Sequence, residues 1–214
     1  METPDHILAL RLVGGNLALD FANTAEGTPE GEIEREHLFG YQDLAFWGHR
    51  VGLLSGENVE RLLRKCHERP VEADAVFARA LEFRGHLYGL FRAVAEGHDP
   101  PEEDVEALRR FECEALSRAK LVLSGDGFAW QWAAGDDLSG VLWPVAHAAT
   151  ELLTSGPLGR VKNCAGCNWL FVDESKNRSR RWCSMEECGT QAKMRRYVAR
   201  RAAKRKNSED RSTS

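Results

Sequence analysis

Residues 160–206 read RVKNCAGCNWLFVDESKNRSRRWCSMEECGTQAKMRRYVARRAAKRK, and four cysteines punctuate the run: Cys164, Cys167, Cys183 and Cys188. They fall as C-x2-C, fifteen residues, then C-x4-C. Each close pair presents two sulfurs to one ion while the residues between the pairs fold back, so the spacing predicts one structural Zn2+ held by four thiolates. Thiolates suit the borderline-soft ion, and a filled tetrahedron leaves no position for a reactive water. Two disulfides would need an oxidising compartment, and the opening Met1-Glu-Thr-Pro-Asp5 lacks the basic start and apolar stretch of a secretory leader. The other two cysteines, Cys66 and Cys113, sit on helical patterns and read as small hydrophobes.

The same run is strongly basic. Residues 156–214 carry 15 Lys/Arg against 6 Asp/Glu, a net +9, whereas residues 1–155 carry 14 against 27, a net −13. Clustered cations raise the local potential for polyanions, so the basic end is a statement about partners. Four thiolates around one Zn2+ leave about −2, and Lys162, Lys176, Arg178, Arg180, Arg181 and Lys193 are near enough in sequence to offset it. The positive run continues well past the last cysteine. Trp169, Phe171 and Val172 read as the first strand of a small hairpin turned by Lys176-Asn177-Arg178, and Ser184 with Glu187 forms a capping-box pattern. The following helix carries Lys193, Arg196, Arg200 and Lys204 along one stripe, with Arg195, Arg201 and Arg205 beside it. Arg178, Arg180, Arg181, Arg195, Arg196, Arg200 and Arg201 are the candidate phosphate contacts.

Ahead of this module the 214-residue chain reads as helical. Spacings of three and four place helices over 41–54, 57–69, 72–96 and 102–119; in the strongest, Val76, Ala80, Phe83, Leu87, Leu90 and Val94 share a face. Pro70 is expected to end the second and Gly97 with Pro100-Pro101 the third. The period then changes to two: Leu121 and Leu123, a Ser124-Gly-Asp-Gly127 turn, and Phe128, Trp130 and Trp132 predict a hairpin whose aromatic face covers the helical core. A further helix fits 139–154, with Pro144 in its first turn, and 154–159 reads as a linker. Residues 17–22 fit a short strand or a helix, and 26–40 read as loop. Glu82 with His86, and His147 with Glu151, are spaced i, i+4, a pattern far commoner in surface pairs than in metal sites. No HExxH, G-x-S-x-G or phosphate-cradling glycine loop occurs, so the chain is not expected to be an enzyme.

From Cys164 to Arg201 the chain resembles the CGNR zinc finger, with Asn168-Trp-Leu-Phe-Val-Asp173, Asn177-Arg-Ser-Arg-Arg-Trp-Cys-Ser-Met185 and Cys188-Gly189 reproducing its motifs. Gly14 to Thr24, GGNLALDFANT, is similar to the opening of the ABATE domain that accompanies this finger, a domain described as a putative stress-induced transcription regulator. The chain departs from the naming motif Cys-Gly-Asn-Arg at Thr190-Gln191, losing an arginine near the helix start, and has Ala18 where the family often has cysteine. The resemblance implies a DNA-binding regulator.

The expected architecture is mainly α with a β-hairpin (α+β), joined to a C-terminal four-cysteine zinc module resembling a treble clef. Residues 1–155 form the acidic ABATE-like domain, 156–207 the basic finger and 208–214 a disordered tail. The expected function is a zinc-dependent DNA-binding transcriptional regulator in the cytoplasm. Its finger contacts nucleic acid, duplex DNA ahead of RNA, while its body senses an unidentified small-molecule effector or forms a homodimer. No apolar run reaches the roughly 18 residues of a membrane helix, so no membrane partner is expected. The rival readings are a zinc-stabilised protein-interaction module and a small-ligand-binding helical domain with a structural finger.

Overall fold

A computed structural model describes residues 2–28, 31–133 and 135–212, with side chains to Arg201. In chain order the elements are α1 (Asp5–Leu8), α2 (Leu17–Ala22), β1 (Ala25–Gly27), β2 (Ile33–Glu36), α3 (Tyr41–Arg50), α4 (Gly56–Glu68), α5 (Pro70–Glu96) and α6 (Glu102–Arg118). There follow β3 (Ala119–Ser124), β4 (Gly127–Trp132), α7 (Leu142–Thr154), β5 (Val161–Asn163), β6 (Leu170–Val172) and α8 (Thr190–Ser212). The protein is thus mostly helical, with three separate antiparallel strand pairs among the described residues. No helix among the described residues is long and apolar enough to cross a membrane.

The helical periods locate the core. Phe83 on α5 stacks on Phe111 of α6 with ring centroids 3.9 Å apart and meets Phe21 of α2 at 6.4 Å, and Phe21 in turn packs against Trp47 of α3 at 5.1 Å. Pro70 does more than end α4: it is the first residue of α5, where its missing N–H costs nothing, so only Arg69 separates the two helices. Gly97 closes α5 in the left-handed region at φ 76°, and its neighbour His98 donates its N–H to Ala93 at 2.8 Å. Pro144 falls in the first turn of α7, where a proline is tolerated.

The fold decides one open reading and changes three expectations. Residues 17–22 are helical because Asn16 caps them, its Oδ1 accepting the Ala18 N–H at 2.9 Å. Residues 26–40 are not simply loop: β1 and β2 pair as a ribbon whose end is fastened to α5 by buried Arg84, which donates to Glu36 at 2.7 and 2.5 Å. The β3–β4 hairpin exists, with Leu121 opposite Trp130 and Leu123 opposite Phe128, yet it covers the core only at its base. Trp132, at its base, packs against the core and is anchored through Nε1 to the Ala115 carbonyl at 2.8 Å, and Trp130 meets the His147 ring edge-on at 6.4 Å; Leu121, Leu123, Phe128 and much of Trp130 are exposed. The strand that pairs with β6 precedes it: β5 aligns Val161 with Val172 and Asn163 with Leu170, so Lys176–Arg178 turn the chain without starting a second strand. The expected tail, 208–214, lies partly outside the described residues, with α8 followed to Ser212.

The module is not a bead on a linker. Val161, Leu170 and Val172 are buried in the same apolar cluster as Phe21, Phe83 and Leu152, whereas Trp169 and Phe171 pack with the four cysteines. Alternation along β6 therefore gives one strand to two cores, Leu170 and Val172 facing the body and Trp169 and Phe171 facing the sulfurs.

Candidate metal centre

Cys164 and Cys167 flank the knuckle between β5 and β6; Cys183 precedes, and Cys188 ends in, the short π-helical turn Met185–Gly189 that leads into α8. The turn begins at Ser184, whose hydroxyl accepts the Glu187 N–H at 3.4 Å, as the capping-box reading requires on that side. The Glu187 carboxylate does not reach back; it pairs with Arg11 at 2.7 Å, and Arg11 also lies over the Trp169 ring at 4.7 Å.

All four cysteines are buried free thiols, and their sulfurs lie within 4.8 Å of one another. Cys183 Sγ is 3.7 Å from both Cys167 Sγ and Cys188 Sγ. A disulfide would hold its sulfurs at about 2 Å. A tetrahedron with Zn–S bonds of about 2.3 Å has edges of about 3.8 Å, so the donor set fits one zinc ion in both chemistry and spacing. Cys164 Sγ also accepts backbone N–H groups from Gly166 at 3.4 Å and Cys183 at 3.3 Å, which favour a thiolate. Among the described residues no other group of His, Cys, Asp or Glu converges as a ligand set. The two helical pairs form, His86 with Glu82 at 3.9 Å and His147 with Glu151 at 3.7 Å, and each histidine has a shorter bond to another helix, to Asp104 at 2.7 Å and to Glu112 at 2.8 Å.

The loop from Asp173 to Arg180 is organised by one buried carboxylate. Asp173 accepts from Lys162 Nζ at 2.5 Å, the Ser175 N–H at 2.9 Å and the Arg180 N–H at 3.0 Å. Burial pushes its carboxyl up, but these donors, Lys162 foremost, hold it well below the usual carboxylate range. Lys162 also donates to the carbonyls of Arg178, at 2.6 Å, and Arg180, at 3.2 Å. Arg178 adopts φ 50°, left-handed for a side-chain-bearing residue, and this clamp on its carbonyl holds it there.

The cations expected at phosphates divide into two sets. Arg180 is spent internally: its guanidinium donates to the carbonyls of Trp182, at 3.0 Å, and Cys183, and lies 4.4 Å over the Phe171 ring. Arg178 and Arg181 are exposed at the loop, Arg181 resting against Trp182 at 5.5 Å. Arg195, Arg196, Arg200 and Arg201 are exposed along α8. Arg201 lies over the Tyr197 ring at 5.7 Å.

Sequence reading overlooked how the body grips the finger. Successive finger residues bond to the GGNLALDFANT segment and β1. Asn168 Oδ1 accepts the Gly27 N–H at 2.7 Å, Trp169 Nε1 donates to Ala25 at 3.0 Å, and Leu170 is held by Asn23. The Val172 N–H donates to the Gly14 carbonyl at 2.8 Å. Gly14 is pinned in turn by Asp20 Oδ1, 2.8 Å from its N–H, and a Cβ there would meet Asp20 N and Leu19 Cβ at 2.9 Å. The signal was available in the density of Asn, Asp and Gly in that segment, residue types that bond main chain when buried.

A knuckle, a strand pair and a helix gathered on four thiolates and fastened to a helical body define a zinc-finger protein. A family model described as a putative stress-induced transcription regulator, ABATE, matches residues 15–156, and a CGNR zinc finger model matches residues 160–201. The chain belongs to the ABATE family and carries a CGNR zinc finger. No curated protein matches it.

Proposed function

We propose that this protein is a zinc-dependent DNA-binding transcriptional regulator whose finger contacts duplex DNA through α8 and the 176–181 loop. The observation that carries the reading is the state of α8. Between Lys193 and Lys206 the sequence has eight Lys/Arg and no acid, and every cation described there is exposed. Neighbours such as Arg196 and Arg200 stand i, i+4 and repel each other, a cost a polyanion removes. The four-cysteine centre lies at the root of this helix, and Asp173 with Lys162 holds the loop that bears Arg178. Acidic cover by the body is the rival to this reading, and the exposure of α8 through Arg201 speaks against it.

The dimerising role of the body is supported by the hairpin. Leu121, Leu123, Phe128 and Trp130 form one exposed apolar face on the hairpin that follows α6. An exposed apolar face of this kind fits a second copy of the chain packed against it. Light scattering of the wild type and Leu123→Glu tests it: a dimer that becomes a monomer supports self-association through the hairpin, and an unchanged mass contradicts it.

Nucleic-acid binding is tested by fluorescence anisotropy of the full zinc-loaded chain with mixed-sequence duplex DNA at two salt concentrations. Single-stranded RNA competitor identifies the preferred polyanion. The full chain is required, because a 156–207 fragment would expose Val161, Leu170 and Val172.

A further inference from the structure

The exposed apolar residues of α8 are not explained by phosphate contacts. Met194, Tyr197 and Val198 are 58%, 55% and 60% exposed in the middle of the cationic run. At 3.6 residues per turn, Tyr197 lies roughly 60° to one side of Met194 and Val198 roughly 40° to the other. On the same face Gln191 stands one turn before Met194 and Arg201 one turn after Val198, both exposed. Lys193 and Arg200 border the strip on one side, about 100° or more from its centre, and Arg195 borders it on the other.

We propose that this strip, Gln191, Met194, Tyr197, Val198 and Arg201, is a base-reading face that α8 lays in the major groove, with the bordering cations on the two phosphate backbones. The inference rests on the DNA-binding reading above and assigns the residues that would give it sequence preference. A major groove admits one α-helix, and its base edges present both hydrogen-bonding groups and thymine methyls. The strip offers the matching mixture: an amide at its start, three apolar groups within one turn, and a guanidinium at its end. The flanking charges then fall where the backbones run.

The same pattern excludes the other surfaces that cations attract. Met194 to Val198 spans about 6 Å along the helix axis, and an interfacial membrane helix needs an apolar face continued over several turns. Interruption by Gln191 and Arg201 in line with the strip is a cost in a bilayer and an asset at base edges. A second α8 is disfavoured by the like charge each would bring.

Gln191 makes the proposal specific. It occupies the position at which this chain departs from Cys-Gly-Asn-Arg, and the two side chains read different bases: a carboxamide pairs bidentately with adenine, a guanidinium with guanine. Discrimination of about ten-fold at that base pair is the scale one such contact provides.

The test is selection from a randomised duplex library by three full-length zinc-loaded proteins: wild type, Gln191→Arg, and the triple variant Met194→Ala/Tyr197→Ala/Val198→Ala. All substituted positions are exposed, and circular dichroism verifies the fold of each. The expected result is a wild-type consensus containing an adenine that Gln191→Arg converts to guanine. The triple variant should lose the consensus while holding mixed-sequence DNA within about two-fold of wild type, because its phosphate contacts remain. Identical consensus sequences from all three proteins overturn the inference. Binding by wild type with no consensus also overturns it and leaves the DNA-binding reading standing. Failure of wild type to bind any duplex, with or without capture by anionic vesicles, removes that reading and the inference together.

Discussion

The carboxamide of Asn23 takes both main-chain hydrogen bonds of Leu170, accepting its N–H through Oδ1 at 2.8 Å and donating from Nδ2 to its carbonyl at 2.8 Å. A side chain of the body thereby acts as a strand partner for β6 of the finger, at a site with no water to replace it: Asn23 is 2% exposed and Leu170 0%. The two units share hydrogen bonds as well as apolar packing.

Asn23→Ala orphans a buried N–H and a buried carbonyl. Each such group costs about 1–3 kcal/mol, so the variant should lose about 2–5 kcal/mol in denaturant unfolding. Asn23→Asp keeps one acceptor and should lose the Leu170 carbonyl bond only. A change within 0.5 kcal/mol for Asn23→Ala would show that the finger is not held through this residue.

Removal of zinc should reach the body. Structural zinc supplies on the order of 10 kcal/mol to such modules, and here the strand it orders completes the body's core at Leu170 and Val172. Chelation, or Cys188→Ala, is expected to lower the midpoint of the whole chain's thermal transition, in place of melting one end of an otherwise unaltered protein. Calorimetry of the zinc-loaded and chelated chain reads this directly: an apo body transition at the holo temperature contradicts it.

Asp20 gives a pH signature. Burial pushes its carboxyl from an ordinary 3.8 up to about 6, against the pull of the Gly14 and Val13 N–H groups. A raised carboxyl binds its proton more tightly in the folded state, so its contribution is fully present below pH ~4 and is lost as pH rises through 6. Two units correspond to about 3 kcal/mol. Asp20→Asn retains an acceptor for Gly14 and cannot ionise; relative to wild type it should gain stability between pH 4 and 7. A difference independent of pH would place the Asp20 carboxyl at its ordinary value.

The two sets of arginines should separate in experiment. Arg180→Ala is expected to weaken zinc retention and lower thermal stability, since it removes donors to Trp182 and Cys183 and the cover of Phe171. Arg195→Ala with Arg200→Ala should leave stability unchanged or raised, by relief of repulsion, and should cut DNA affinity and flatten its salt dependence by about two phosphate contacts. Zinc release assays and salt titrations distinguish them; a reversed pattern contradicts the assignment.

The four ligands and the long helices were legible in the sequence because each leaves a local, periodic mark: paired cysteines at fixed spacing, and apolar steps of three and four. The β1–β2 ribbon was not, since Ile33–Glu36 is charged and exposed and owes its place to Arg84, 48 residues from Glu36. The hairpin's exposure was hidden for the opposite reason: alternation fixes which side chains share a face but not what lies against it. Arg180 looked like its neighbours, and only the packing of Phe171 and the carbonyls of Trp182 and Cys183 set it apart. The grip of Asn23, Asn168 and Asp173 on main chain joins segments up to 147 residues apart, which no local period reports.

The most direct test of the account is the salt dependence of duplex binding by the zinc-loaded full chain. With about four to six phosphates neutralised, a plot of log K against log salt should be linear with a slope of about −4 to −5, and chelation should abolish the binding. No association at low salt, or binding that is the same with and without zinc, would contradict it.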